Sequence, residues 1–359
     1  MVKENSKFNG KWRKTMQNPY TLTFGKEPIE YIKRIAEERQ ILEDFLSPNP
    51  PQQVYMISGV RGCGKTVFMT DISQEIGRDE DWIVVDLNPY KADLMQEAAA
   101  YLSSIQGLAQ IFQKAKLNFS LFGFGLEVSD AAPIADIQVA LERMIENLAQ
   151  HHKKILFTID EVTASPQIKA FTFAVQQMLR KNSPVFLLMT GLYQNISDLQ
   201  NEKNLTFLYR APKIILSPLN IGAMADNYRQ NIKLTADAAR EMAKLTKGYP
   251  FAFQVVGYFL WKDSTNFTKV ISQSRQYLEE QSYEKIWSEL SAKDRELAGA
   301  IAQCPGGSIR EIKELLHIEQ NELNPYRKRL IRKGIADGSV RGYLTFSLPF
   351  FNDFVLDNI

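Results

Sequence analysis

The chain of 359 residues is longer than one ordinary core, since domains average about 150 residues, so two or three domains are expected. Hydrophobic residues make up 45% and charged residues 23% of the sequence, which excludes a collagen-like fibre, a coiled coil and wholesale disorder. A net charge of +2 does not indicate nucleic-acid binding by itself, so any such surface must be local. No apolar run approaches a membrane span of roughly 18 to 20 residues, and no secretory signal is recognisable. Two cysteines and three histidines without Cys-x-x-Cys spacing predict neither disulfides nor zinc, and a cytoplasmic protein is expected.

The N-terminal part leads into an α/β domain. Residues 1–50 are expected to form a terminal segment whose amphipathic stretch, residues 28–46, makes one helix. Residues 51–220 alternate short apolar runs with longer segments of helical spacing, which predicts a parallel sheet covered on both faces. The predicted strands are residues 54–58, 82–86, 155–160, 185–190 and 213–216.

Residues 116–129 interrupt this alternation. Apolar and polar residues alternate there, and two glycines follow, which predicts an inserted hairpin. Its aromatic side chains, Phe119, Phe122 and Phe124, are expected to pack back on the domain because aromatic side chains are usually buried. A partner surface is the alternative.

The C-terminal part contains two helical modules. Residues 221–288 show only helical spacing and are expected to form a helical subdomain. Residues 289–359 combine three helical segments with two short strands around residues 337–338. Three helices followed by a two-stranded ribbon predict a winged helix-turn-helix.

Residues 59–66, GVRGCGKT, match G-x-x-x-x-G-K-[ST] between an apolar strand and a helix, which is the context of a phosphate-binding loop. Its glycines let successive N–H groups point at phosphate oxygens, Lys65 adds a charge, and the Thr66 hydroxyl binds Mg²⁺. The sequence therefore predicts ATP with Mg²⁺; a glycine-rich turn without a ligand is the alternative. The predicted nucleotide contacts are Gly59, Arg61, Gly62, Cys63, Gly64, Lys65, Thr66 and Val67. At Cys63, a small filler whose backbone alone matters is equally consistent.

Two acids end the third predicted strand, where carboxylates of a parallel sheet face the ligand crevice. Asp160 is expected to hold Mg²⁺ through water, and Glu161 to act as the general base towards an attacking water. Thr190, at the end of the fourth strand, is a candidate sensor of the γ-phosphate. Arg210 is a candidate arginine finger, in its own site or a neighbour's, and an ordinary surface arginine is the alternative.

In this order of motifs the chain resembles AAA+ ATPases and their STAND relatives, most of all the archaeal-type ATPases. Further matching features are Asn18-Pro19-Tyr20, the segment LYRA at residues 208–211 and Gly248-Tyr249-Pro250. The resemblance implies an ASCE-type P-loop sheet of order 5-1-4-3-2, with ATP clamped between the sheet and a helical lid. It also implies that Gly248 and Pro250 approach the nucleotide.

The chain departs from this family at three positions. Gln254 stands where many relatives have a second sensor arginine, Thr190 where many have asparagine, and Lys33 where many have glycine. We therefore expect slow hydrolysis that serves as a switch rather than vigorous turnover.

A basic segment marks the C-terminal module. Five of the seven residues 327–333 are basic, on the helix that would enter a major groove, and Arg341 would lie on the wing. The candidate DNA-binding residues are Arg327, Lys328, Arg329, Arg332, Lys333 and Arg341. Resemblance to archaeal replication initiators implies duplex DNA as the partner, with these cations on phosphates; a solvated face is the alternative.

The leading hypothesis is a Mg²⁺-dependent ATPase in which ATP closes the lid and repositions the winged helix. Duplex DNA is the first candidate partner. The alternative is a STAND-type signalling or scaffold ATPase whose lid and winged helix bind protein, including further copies of the chain. Phosphoryl transfer to a small molecule is a weaker third class, since Glu161 suits a water nucleophile and no acceptor pocket is recognisable.

Overall fold

The structure is a computed structural model that describes residues 17–23, 28–123 and 132–359. The strands of its main sheet are β1 Val54–Ser58, β2 Trp82–Leu87, β3 Lys154–Ile159, β4 Val185–Gly191 and β5 Lys213–Ile215. All pair in parallel, in the order β2-β3-β4-β1-β5. The predicted α/β class and the predicted order 5-1-4-3-2 are confirmed, since the two orders are one arrangement read from opposite edges.

Helices cover both faces of this sheet. They are α1 Ile35–Leu46, α2 Lys65–Ile76, α3 Leu94–Ser104, α4 Gln106–Lys114, α5 Ile137–Gln150, α6 Pro166–Arg180 and α7 Tyr193–Gln200. Every residue of β1 and β4 is buried, which explains why these strands read as continuous apolar runs. Covered central strands place the carboxyl ends of β1, β3 and β4 side by side at one edge of the sheet.

The first helix is shorter than the sequence predicts. It begins at Ile35 rather than at residue 28. Ile29 is exposed, whereas Ile32 packs against the apolar cluster that contains Tyr20 and Tyr228. The carbonyl of Glu30 accepts a hydrogen bond from the side chain of Gln254, which holds this stretch in a non-helical path.

The predicted inserted hairpin is wrong in its described part. Residues 120–122 form a 3₁₀ turn, and the Asn118 side chain accepts a hydrogen bond from the N–H of Ser120. Phe119 is fully buried with its ring centroid 6.2 Å from that of Phe112, so this aromatic does pack back on its own domain. A local side-chain bond to the backbone therefore competes successfully with strand pairing. Phe124, like the rest of the segment up to residue 131, lies outside the described residues.

A bundle of helices follows the sheet. Its members are α8 Ile221–Ile232, α9 Ala236–Leu245, α10 Pro250–Lys262 and α11 Phe267–Leu278. Tyr20 packs into this bundle, with its ring edge-on to those of Tyr228 and Phe253 and its hydroxyl 2.7 Å from Asn227 Oδ1. A Cβ built on Gly257 would lie 2.4 Å from the Tyr20 ring, so glycine is needed for this close packing.

The C-terminal module contains the predicted helices and ribbon. After a π-helical turn at Glu279–Tyr283, its elements are α12 Glu284–Ser288, α13 Ala292–Gln303, α14 Ile309–Leu316, α15 Gln320–Arg332, β6 Ala336–Asp337, β7 Thr345–Phe346 and α16 Phe351–Leu356. Strands β6 and β7 pair antiparallel. Helix α16 was not anticipated from the sequence; its Phe351 and Phe354 contact Tyr283 in the turn that precedes α12.

The described chain forms two compact units. The first contains the described residues up to Lys33, the segment Arg61–Gly64 and Pro218–Ile359. The second contains Arg34–Val60 and Lys65–Ser217. The tip of the loop at residues 59–66 therefore belongs to the first unit, and the two ends of this loop belong to the second. Among the residues that the structure covers, no helix has the length and apolar character of a membrane span.

We predict that Gly257→Ala lowers the free energy of unfolding by about 1–3 kcal/mol, because the added methyl group overlaps the Tyr20 ring. Gly299→Ala is the matched control: it also lies in a helix, but its added Cβ would be 3.5 Å from Ile359, an ordinary contact. The control should be neutral or slightly stabilising, since alanine favours helix. Denaturant unfolding of the full chain measures both, and equal midpoints for the two variants would contradict the packing argument.

Candidate functional site

The loop at residues 59–66 leaves the buried strand β1 and enters α2 at Lys65. Gly62 and Gly64 adopt φ values of +72° and +87°, a backbone region that residues with a side chain rarely adopt. The observed backbone therefore requires glycine at position 64, which the motif specifies, and at position 62, which the motif leaves variable. Cys63 between them is buried and Val67 is half-buried.

Two carbonyl groups at the tip of the loop accept hydrogen bonds from residues at and just after Tyr249. The Tyr249 hydroxyl donates to Arg61 O at 2.6 Å, and the N–H of Phe251 donates to Gly62 O at 3.1 Å. A Cβ built on Gly62 would lie 2.3 Å from the Tyr249 hydroxyl, so the tyrosine fits only against glycine. Burial raises the pKa of Tyr249, so its hydroxyl remains a donor at alkaline as well as at neutral pH. The sequence analysis named Tyr249 only within the matching tripeptide Gly248-Tyr249-Pro250. Its place in that tripeptide was the only sequence feature that pointed to a role for this tyrosine.

Lys65 and Thr66 lie where the loop becomes helix. The buried Lys65 ammonium donates to Gly59 O and Val60 O, both at 3.1 Å. The Thr66 hydroxyl donates to Asp160 Oδ2 at 2.6 Å. The structure therefore brings together the predicted magnesium ligands, one from the start of α2 and one from the end of β3.

Asp160 is held by a second hydroxyl. Thr190, fully buried in β4, donates from its Oγ1 to Asp160 Oδ1. The N–H of Glu161 approaches the same Asp160 oxygen at 2.9 Å and Thr190 Oγ1 at 3.3 Å. Thr190, which the sequence predicts as a phosphate sensor, therefore lies beside the two acids. Its hydroxyl bonds to the Asp160 carboxylate and to the N–H of Glu161.

Glu161 has an unusual backbone for a residue with a side chain. Its φ is +54°, in the left-handed region, and its side chain is exposed. Such a conformation costs of order 1–3 kcal/mol and persists where surrounding bonds fix it, as the two bonds to its N–H do here. Two threonine hydroxyls bond to the Asp160 carboxylate, whereas the Glu161 side chain is exposed, so the two acids can have different roles.

The glycine and proline of the tripeptide at residues 248–250 differ in their surroundings. Gly248 has φ +75°, and a Cβ there would lie 2.7 Å from Leu219 O, so main-chain packing explains this glycine. Pro250 lies beside the loop, 3.9 Å from a Cβ built on Gly64. Gln254, at the expected position of a second sensor, instead accepts from Thr21 N–H at 3.0 Å and donates to Glu30 O at 2.6 Å. Its side chain therefore holds the N-terminal segment on α10.

Arg210 is not part of the group of acids. It is exposed, precedes β5, and lines an open pocket with Gln200, Lys203 and Tyr209. Ile215 of β5 pairs with Ser58 at the carboxyl end of β1, and Arg210 precedes this strand, directly after a 3₁₀ turn.

Part of the positive charge of the basic helix α15 is neutralised by a buried carboxylate of α13. Arg329 Nε lies 2.7 Å and Lys333 Nζ 3.4 Å from the carboxylate of Asp294, whose side chain is 1% exposed. Because a buried carboxylate needs compensating charge, these two cations have a structural role. Arg327 donates to Gly338 O at 3.4 Å. The remaining cations of the predicted surface, Lys328, Arg332 and Arg341, are exposed.

Comparison with known proteins places the fold. The Walker-type ATPase PABY2304 of Pyrococcus abyssi superposes with a TM-score of 0.64 at 15% identity, over 91% of this chain and 96% of that one. The ORC2 protein of Aeropyrum pernix, in its ADPNP-ADP complexes, gives a TM-score of 0.59 at 14% identity, over 94% and 96%. Residues 280–355 match a family described as a domain of unknown function, DUF8462. A search of curated sequences found no match. These likenesses show that the chain has the fold of the Walker-type P-loop ATPases.

Proposed function

We propose that this protein binds ATP with Mg²⁺ at residues 59–66, hydrolyses it slowly, and uses the nucleotide state to control its C-terminal module. The observation that carries the proposal is the bond between Thr66 and Asp160 beside a loop with two glycines at positive φ. The shared Walker-type fold supports it. The carbonyls of Arg61 and Gly62 bond to Tyr249 and Phe251, and successive N–H groups of a curled backbone of this kind can bind phosphate oxygens.

The residues present fit a magnesium nucleotide. The Thr66 hydroxyl and the Asp160 carboxylate are hard oxygen donors only 2.6 Å apart, the kind of pair that holds Mg²⁺ together with phosphates and water. Lys65 supplies a buried cation within the loop. Mg²⁺, when bound, would neutralise phosphate charge; Thr66 and Asp160 would hold it, and Lys65 would exchange its carbonyl partners for phosphate oxygens.

Glu161 is the general base of this proposal. Its side chain is exposed, it directly follows the predicted magnesium ligand Asp160, and bonds to its N–H fix its backbone. A water between Glu161 and the terminal phosphate would lose its proton to this carboxylate. We expect slow turnover because Gln254, where a sensor arginine would supply a cation, bonds instead to the N-terminal segment. Arg210, exposed just before β5, would act as an arginine finger in its own site or on a second copy of the chain.

The C-terminal module is the proposed output, and contacts within the first unit support its link to the loop. Lys247 donates from Nζ to Phe346 O of β7 at 2.9 Å, and burial lowers the pKa of Lys247. Two residues on, Tyr249 bonds to Arg61 of the loop. One short segment therefore contacts both the loop tip and the C-terminal module.

Duplex DNA is the first proposed partner of this module. The exposed cations Lys328 and Arg332 on α15 and Arg341 on the wing would contact phosphates. A protein partner is the second candidate, and one observation favours it: Val340 and Tyr343 on the wing are 62% and 48% exposed. Neighbouring apolar side chains of this kind are more typical of a protein contact than of a phosphate contact.

We predict that Lys65→Ala weakens Mg-ATP binding by about 100-fold or more, because charge-assisted bonds to phosphate are lost. Glu161→Gln should keep the affinity but lower turnover by about 10²–10⁴-fold, since only the base is removed. Calorimetric titration measures binding, and phosphate release measures turnover. Unchanged turnover in Glu161→Gln would contradict the assignment of the base.

Thr190 offers a test of how the acids are held. Thr190→Val keeps the shape but removes the hydroxyl, so Asp160 Oδ1 loses a donor, and we expect kcat to fall about tenfold with little change in ATP affinity. Thr190→Ser restores the hydroxyl and should restore most of kcat. If the serine variant behaves like the valine variant, the hydroxyl is not what matters.

For DNA, we predict that Lys328→Ala combined with Arg341→Ala weakens binding to a mixed-sequence duplex and reduces the slope of log affinity against log salt by about 2. The control replaces two exposed lysines of the helical bundle, Lys244→Ala with Lys269→Ala, and should leave that slope unchanged. Fluorescence anisotropy at several salt concentrations measures both. If the unmodified protein does not bind the duplex at low salt, DNA is rejected as the partner and a protein partner is favoured.

A further inference from the structure

Arg61, at the tip of the loop, forms an ion pair with a residue that lies outside the predicted nucleotide contacts. Its guanidinium donates from Nη2 and Nε to Glu289 Oε1, at 2.7 and 3.1 Å. Glu289 directly follows α12, in the segment that leads into the C-terminal module. The two side chains are 35% and 33% exposed, so water screens the pair and it can exchange partners.

The same segment also holds the backbone of Arg61. Tyr249, whose hydroxyl donates to Arg61 O, lies 3.0 Å from Ser282 Oγ at the other end of the segment. Ser282 and Glu289 thus contact the main chain and the side chain of one loop residue, Ser282 through Tyr249 and Glu289 directly. The backbone contact supports the loop shape, whereas the ion pair does not involve any loop N–H.

The ion pair therefore affects charge rather than shape. A phosphate-binding loop attracts a ligand with several negative charges, and a guanidinium in that loop is a natural partner for phosphate oxygens. Glu289 occupies this guanidinium and adds a negative charge next to it. Both effects disfavour a nucleotide, and they disfavour it more when it carries more negative charge.

We propose that Glu289 competes with the nucleotide for the Arg61 guanidinium and thereby lowers the affinity of the loop for ATP more than for ADP. This inference rests on the proposed function of the loop. It makes Glu289, more than 220 residues away in sequence, a determinant of nucleotide preference. The segment from Ser282 to Glu289 then senses a triphosphate through release of Arg61.

A purely structural role for Glu289 predicts the opposite sign. If the pair only stabilised the loop, Glu289→Gln would weaken binding of both nucleotides or leave them unchanged. Competition predicts tighter binding, because the amide keeps the size of the side chain and removes its charge. The sign of the change therefore separates the two roles.

The experiment is calorimetric titration of Mg-ATP and Mg-ADP into the full chain. We expect Glu289→Gln to bind ATP about fivefold more tightly, with a smaller gain for ADP, and the gain to shrink at high salt. The matched control is Glu296→Gln, which removes the same charge from a surface pair with Lys293 in the C-terminal module and should bind as the unmodified protein does. Thermal unfolding of each variant checks folding, and Glu289→Ala serves as the second variant.

Arg61→Gln completes a double-mutant cycle. With Arg61 replaced, Glu289→Gln should lose more than half of its gain in ATP affinity, because the contested guanidinium is absent. A gain that persists in full, or no gain in the Glu289→Gln single variant, would overturn the competition. An unmodified protein that gives no heat with Mg-ATP would instead overturn the proposed function itself, so the two failures are distinguishable.

Discussion

The curled backbone at residues 59–66 is the constraint on which the site depends. Two glycines at positive φ turn the chain between β1 and α2, and Tyr249 and Phe251 donate hydrogen bonds to the carbonyls of the turn. A side chain at Gly62 would collide with the Tyr249 hydroxyl, so loop and tyrosine require each other. Lys65 and Thr66 directly follow this turn in the chain, at the start of α2.

A second set of contacts prepares the acids. The Asp160 carboxylate accepts hydrogen bonds from the hydroxyls of Thr66, in α2, and Thr190, in β4. The N–H of Glu161 approaches the same carboxylate. These bonds fix one carboxylate and leave the other exposed. Strand order explains the arrangement, since β3 and β4 are neighbours and both end at the edge where the loop begins. The sheet therefore places three separate sequence segments at one site.

The sequence alone predicted much of this because the relevant signals are local. Buried parallel strands appear as apolar runs, and the loop motif needs glycine for its own backbone, so the sheet, the loop and the pairing of Thr66 with Asp160 could be anticipated. Residues 116–123 failed because alternation cannot distinguish a strand from a turn fixed by Asn118. The start of α1 failed because Glu30 bonds to Gln254, a contact between distant segments.

Long-range partners account for the features that sequence reasoning missed. Nothing local to α15 shows that Asp294 takes up Arg329 and Lys333, and nothing near the loop shows Glu289 beside Arg61. The sequence shows where the charged residues are, but only the fold shows which partners they have and therefore what they do. A basic run and a conspicuous arginine each proved to have an acidic partner within the chain.

Hydrogen exchange across residues 59–66 tests the central claim most directly, since the claim concerns backbone N–H groups. With Mg-ATP, peptides covering this loop should become strongly protected, while peptides from α5, which lies outside the site, should exchange as before. Unchanged exchange in the loop at saturating Mg-ATP would contradict the account, because a cradle that binds phosphates through its amides cannot leave those amides as exposed as they were.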